Sequence, residues 1–257
     1  WRFLAVLLGD EPVLSPRVAF YQRLAARDQD EAAEIAEKEL EKRPAAEVFD
    51  DVLVPALAAA RRDFGNGRLS EDDVGQITQS VREVAEEVAV FKPADPAASQ
   101  PAERVRILLV PANDRADYAA ADLFARLLEP GHWEADVAPA GILTGELLDR
   151  LEKDRPAAVV IISLPPGGLT HTRYLCKRLR HRFPEVKVVV CRWTAPGEEA
   201  VAGGDQLQAA GADEVTGSLE STRTFLHGWQ AVLAEGVTTR ADAPRKRGGK
   251  AIGTTRA

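Results

Sequence analysis

The chain has 257 residues, 45% of them hydrophobic, and a formal net charge of −7. That length allows one large domain or two modest ones with a real core, and the negative balance excludes a general nucleic-acid binder. Two cysteines, Cys176 and Cys191, are too few for a metal cluster, fit a reducing compartment, and read as small buried apolar side chains.

No methionine occurs, and the chain opens WRFLAVLLGDEP, so it reads as part of something longer. The apolar run at residues 3–8 is too short to cross a bilayer, which takes roughly 20 apolar residues, and it lacks the basic start of a signal peptide. Residues 1–14 are read as a lead-in, either a small packing strand or the exit of a membrane helix. Residues 15–90 are expected to form a four-helix bundle. Ser15 is a candidate cap with Pro16 at the first helical position, and Val18, Phe20, Tyr21 and Leu24 form the first apolar stripe. A helix rich in Glu and Lys follows over 29–43. Val48, Val52, Leu53, Leu57 and Ala60 keep helical period, but Pro55 predicts a kink or a break there. Ser70 caps the next helix, whose face carries Val74, Ile77, Val81, Val84 and Val88.

Residues 91–103, FKPADPAASQPAE, have three prolines and no apolar period, the composition of a linker. Beyond them VRILLV, EADVAP, AAVVIIS, VKVVVC and ADEVTG alternate with helical patterns. Unbroken β-branched runs indicate strands covered on both faces. The fold class is α/β: residues 104–235 are expected to form a flavodoxin-like, five-stranded parallel sheet of order 2-1-3-4-5 with helices on both faces. Residues 236–257, small, polar and basic, are expected to be a disordered tail.

In such a sheet, ligands sit beyond the carboxyl ends of the strands. The first such turn offers Asn113, Asp114, Arg115, Asp117 and Tyr118, with Asp114 either a helix cap or a ligand contact. The loop SLPPGGLTH brings Ser163, Gly167, Gly168 and Thr170 to the same edge. Trp193 after the fourth strand either covers the crevice or fills it, and Thr216 and Gly217 follow the fifth, where Ser218 reads as a cap. The helix over 172–182 is basic through Arg173, Lys177, Arg180 and His181, a face for solvent or for anionic lipid. The histidines, His132, His171, His181 and His227, are scattered, and no metal-ligand spacing, nucleophile elbow or phosphate loop is found. No metal site and no enzymatic activity are expected.

Bundle, linker and flavodoxin-like domain together resemble the cobalamin-binding modules of methionine synthase and related photoreceptors. In that family an Asp-x-His-x-x-Gly loop supplies a histidine to cobalt. Here Arg115 stands at the histidine position, and Tyr118 stands at the glycine, where its ring would crowd the groove. Phe64, Val74 and Gly75 replace the family's tryptophan and Glu-His pair, Cys191-Arg192-Trp193 replaces paired glycines, and Ser163 is kept. The resemblance implies the architecture without the cobalt ligand: no cofactor, or alternatively cobalamin that keeps its own base. A second resemblance runs through FLAVLLGDEPVLSPRVAFYQRLAARDQDEAAEIAEKELE, VFDDVLVPALAAARRD and RYLCKRLRHRFPEVKVVVCRW. These stretches are similar to the soluble C-terminal extension of autoinducer-2 exporter family permeases. This implies a non-enzymatic regulatory domain on the cytoplasmic side of the inner membrane, partnered by the permease and open to a small-molecule ligand in the crevice.

Overall fold

The computed structural model describes residues 14–90, 104–194 and 203–241. The lead-in at 1–13, the linker at 91–103 and the tail from 242 lie outside the described residues. Among those described, no helix is long and apolar enough to cross a membrane.

Helix α1 (Pro16–Ala25) buries Phe20 and Leu24. Ser15 occupies its N-cap, but its hydroxyl makes no capping bond; Pro16 fixes the first-turn φ without it. Helix α2 (Gln29–Leu40) starts on a true cap, with Asp28 accepting from Glu31 N. The irregularity expected at Pro55 is a π turn. Helix α3 (Ala45–Val48) widens over residues 49–53 and continues as α4 (Val54–Gly65). A prolyl ring collides with the carbonyl four residues back and donates no hydrogen bond, and the wider turn absorbs both effects without ending the helix. Helix α5 (Glu71–Val90) begins with a reciprocal box: Ser70 Oγ accepts from Asp73 N at 3.2 Å, and Asp73 accepts from Ser70 N at 3.0 Å.

The second module is a parallel five-stranded sheet of order β2-β1-β3-β4-β5. Its strands are β1 (Val105–Pro111), β2 (Trp133–Val137), β3 (Ala158–Ile162), β4 (Lys187–Cys191) and β5 (Glu214–Thr216). Helices α6 (Arg115–Leu127), α7 (Thr144–Asp154), α8 (Leu169–Arg182), α9 (Gly204–Ala209) and α10 (Leu219–Ala241) connect and cover them. Alternation along each strand sorts side chains to two faces. Ile107, Leu109, Val160, Ile162 and Val189 join α6, α10 and the bundle in one continuous core. Leu108, Val110, Val159, Ile161 and Val188 face α7, α8 and α9 in the other. Helix α10 runs past the expected boundary at 235 to Ala241, since no proline interrupts it before Pro244.

The modules are joined by polar bonds as well as by apolar packing. Asp50, in the π turn, accepts from Leu219 N at 2.6 Å and Glu220 N at 2.9 Å. The bundle thus caps the first turn of α10, where backbone N–H groups otherwise lack partners. Burial pushes the Asp50 carboxyl up to about 6. A carboxyl raised above its unfolded value contributes stability that is full below about pH 4 and is lost as pH rises through about 6. Asp50→Asn is therefore expected to gain on the wild type by roughly 2–3 kcal/mol between pH 4 and 7. Urea unfolding across that range checks it, and a pH-independent gap between the two proteins counts against the assignment.

Candidate functional site

The carboxyl edge of the sheet carries a buried polar network centred on Asp117. This residue lies in the first turn of α6 and is fully buried. Its Oδ2 accepts from Asn113 N at 3.0 Å and Asn113 Nδ2 at 2.8 Å, and its Oδ1 accepts from Leu164 N at 2.8 Å. Arg61, from the end of α4 in the bundle, donates to the same Oδ1 at 2.6 Å. Arg61 also donates to Asp114 and to the carbonyl of Leu164. Burial raises the Asp117 carboxyl above its ordinary range, with Arg61 opposing the shift most strongly. One guanidinium thus ties the bundle to the turn after β1 and to the loop after β3.

A second arginine holds the neighbouring loop. Arg192, nearly buried after β4, donates from Nη1 to Gly167 O at 2.7 Å, Ser163 O at 3.0 Å and Ser163 Oγ at 3.2 Å. Burial lowers the guanidinium's proton affinity. Ser163 Oγ further accepts from Thr172 Oγ1 at 2.9 Å and Asn113 Nδ2 at 3.3 Å. Gly168 packs against this pair with φ +73°, and a Cβ there would lie 2.6 Å from Asn113 Nδ2 and 2.8 Å from Ser163 Oγ, so no larger residue fits.

The predicted residues therefore separate. Asn113, Asp114, Ser163, Gly167 and Gly168 meet in this network. Asp114 caps α6, accepting from Ala116 N and Asp117 N, and also pairs with Arg61. Arg115 is exposed and lies against α5, since a Cβ on Gly75 would come within 3.0 Å of its Nη1. Tyr118, expected to crowd the groove, instead sits under Arg82 of α5, 5.3 Å from guanidinium carbon to ring centre. Thr170 is exposed in the first turn of α8. Trp193 is fully buried and belongs to the core: its ring lies 5.5 Å from Phe124, and its Nε1 donates to Thr222 Oγ1 at 2.9 Å. Thr216 bonds Thr222 at 2.7 Å, and Gly217 O accepts from Thr194 N at 3.1 Å. Ser218 caps α10 through Ser221 N at 3.0 Å.

Two expectations need correction. Arg180, assigned to the wet face of the basic helix, is tied inward to Gly211 O at 2.8 Å and Asp213 at 2.6 Å. The histidines are not all scattered, because Glu129, His132 and His227 bring ligand-type atoms within 4.8 Å of one another. The sequence gives no sign of Arg61 as part of the crevice, and Arg192 enters it only through the resemblance, in the block that replaces the paired glycines. A charged residue at the apolar end of a buried strand, as in VVVCRW, is the only local signal that could have flagged Arg192.

No curated protein matches the chain. Among solved structures, the monomethylamine corrinoid protein of Methanosarcina barkeri is similar in fold. It is 11% identical, with a TM-score of 0.55, over 80% of this chain and 94% of that one. A cobalamin-binding protein from Desulfitobacterium hafniense DCB-2 also matches, at 14% identity and TM-score 0.40, over 84% of this chain and 99% of that one. Residues 17–87 match the family model described as B12 binding domain, and with the parallel sheet that follows them the chain has the helical-cap-plus-sheet fold of such corrinoid proteins.

Proposed function

We propose that the chain is a non-enzymatic regulatory module on a corrinoid-protein fold, joined to a membrane permease at its cytoplasmic side. The observation that carries this reading is Arg61. Its bonds to Asp114, Asp117 and Leu164 O cross from the bundle to the sheet edge, so this chain's own side chains span the space a flat ligand would need. Arg115 stands where the resemblance places a cobalt-ligating histidine, and a guanidinium has no lone pair to offer. The residues present do not fit a corrinoid ligated through the protein, and no chemistry is derived through one.

Absence of enzymatic activity is supported by the state of the candidate nucleophiles. Burial pushes the thiols of Cys176 and Cys191 up to about 12, and Ser163 Oγ is already engaged by Thr172 and Arg192. The permease partner rests on the likeness of residues 3–41, 48–63 and 173–193 to the exporter extension. A small ligand in the crevice would have to compete with the Arg61 contacts, and that competition gives the module a way to signal.

A second reading, a cobalamin binder that keeps the cofactor's own base, is favoured by the family match over 17–87, since it needs no protein ligand to cobalt. Incubation with hydroxo-, methyl- and adenosylcobalamin, followed by desalting and a visible spectrum, separates the two. We expect a colourless protein. A corrinoid band retained near one equivalent would establish the second reading and overturn the first.

A further inference from the structure

We propose that Glu129, His132 and His227 form a divalent transition-metal site, of the kind that takes zinc, at the edge of the sheet opposite the crevice. Glu129 and His132 lie in the turn between α6 and β2, and His227 lies on α10. Glu129 Oε2 is 2.7 Å from His227 Nε2 and 3.6 Å from His132 Nδ1. All three ligand-type atoms lie within 4.8 Å of one another. Ligand atoms around a tetrahedral zinc stand roughly 3.4 Å apart, so modest side-chain rotations complete the set.

Two features distinguish this cluster from an ordinary surface ion pair. Glu129 Oε2 and His132 Nδ1 are both buried from solvent, and neither has a hydrogen-bond partner. His227 Nε2 stands 2.7 Å from Glu129 Oε2 without forming a hydrogen bond to it. Buried polar atoms without partners are uncommon in folded proteins, and a cation-binding role is one physical reason for a fold to keep them. The donor set of two imidazoles and one carboxylate suits zinc and cobalt. The rings are also held in place: His132 and His227 meet edge to face at 6.2 Å, and Trp133 packs edge-on to His227 at 6.3 Å.

A metal there ties the start of β2 to α10, the helix that the bundle caps at its first turn through Asp50. The chain's other histidines, His171 and His181, are both exposed on α8, and both cysteines are buried.

The test uses the untagged full chain, stripped with chelator. It is titrated with zinc by calorimetry and with cobalt by visible absorption. We expect one equivalent of each, cobalt d–d bands of a low-coordinate nitrogen-oxygen site, and a metal-dependent rise in melting temperature. His227→Ala and Glu129→Gln should each weaken binding at least tenfold while keeping the wild-type far-ultraviolet circular dichroism. His181→Ala should bind as the wild type does. The proposal is overturned if the wild type takes up no metal, or if His181→Ala weakens binding while His227→Ala does not. Should His227→Ala unfold, Glu129→Gln, which keeps the side chain's shape, decides the matter by itself.

Discussion

Arg61→Leu is expected to destabilise the folded chain by about 3–5 kcal/mol, the usual cost of removing one partner of a buried ion pair. The loss of the guanidinium's own hydrogen bonds is the smaller part. Asp117 has no exposed surface, and the guanidinium that most opposes its desolvation would be gone. The carboxyl, already raised, would rise further. By linkage, a group raised in the folded state loses its stabilising contribution as pH increases, so the variant should weaken more steeply than the wild type as pH rises. Asp117→Asn in the Arg61→Leu background removes the stranded charge and keeps an amide oxygen that accepts from Leu164 N, while its amide nitrogen faces the Asn113 donors. That double variant should recover part of the loss, and the cycle gives the coupling energy directly. Equilibrium urea unfolding at two pH values is sufficient. A loss below about 1 kcal/mol, the scale of an exposed pair, or a double variant no better than Arg61→Leu, would show that Asp117 tolerates burial without its partner.

Which features are readable from the sequence follows from how far apart the interacting residues lie. The two faces of β1 are written in consecutive residues: Ile107 and Leu109 go to one core, Leu108 and Val110 to the other. The Ser70–Asp73 box is likewise local, three residues apart, and so are the caps at Asp114 and Ser218. The crevice is different. Asp117 reads as an ordinary acid in a first helical turn, where the helix dipole favours it, and only the arrival of Arg61 from the bundle turns it into the centre of a network. Asp50 in the same way looks like a surface acid in a charged turn until α10 is brought beneath it. Glu129 and His132 share a turn, but the third donor sits on the last helix. Neither periodicity nor spacing encodes side-chain contacts between the bundle and the sheet domain, such as Arg61 with Asp117 or Asp50 with the start of α10. The number of βα units predicts the strand order, and the parallel register realises it.

Trp193→Ala is expected to cost about 3–5 kcal/mol, the range for truncating a large aromatic in a packed core. The indole has no exposed surface and lies tilted at 56° against Phe124, so its removal strips contact from both α6 and the end of β4. The hydrogen bond it makes is the minor term. Thr222 Oγ1, which receives the indole N–H, also bonds Thr216 Oγ1 at 2.7 Å and Ser218 O at 2.8 Å. The hydroxyl therefore keeps partners when the indole is lost, and Trp193→Phe should cost only about 1–2 kcal/mol. The spacing between the two variants separates packing from hydrogen bonding. An apolar void of this size stays dry and can take a small aromatic, so millimolar indole should raise the melting temperature of Trp193→Ala and leave the wild type unchanged. If alanine costs no more than phenylalanine, the walls have collapsed inward and Trp193 is not what keeps Phe124 and the β4 end apart. If indole restores the alanine variant, the position after β4 is an aromatic-sized volume at the mouth of the sheet that this chain fills with its own side chain.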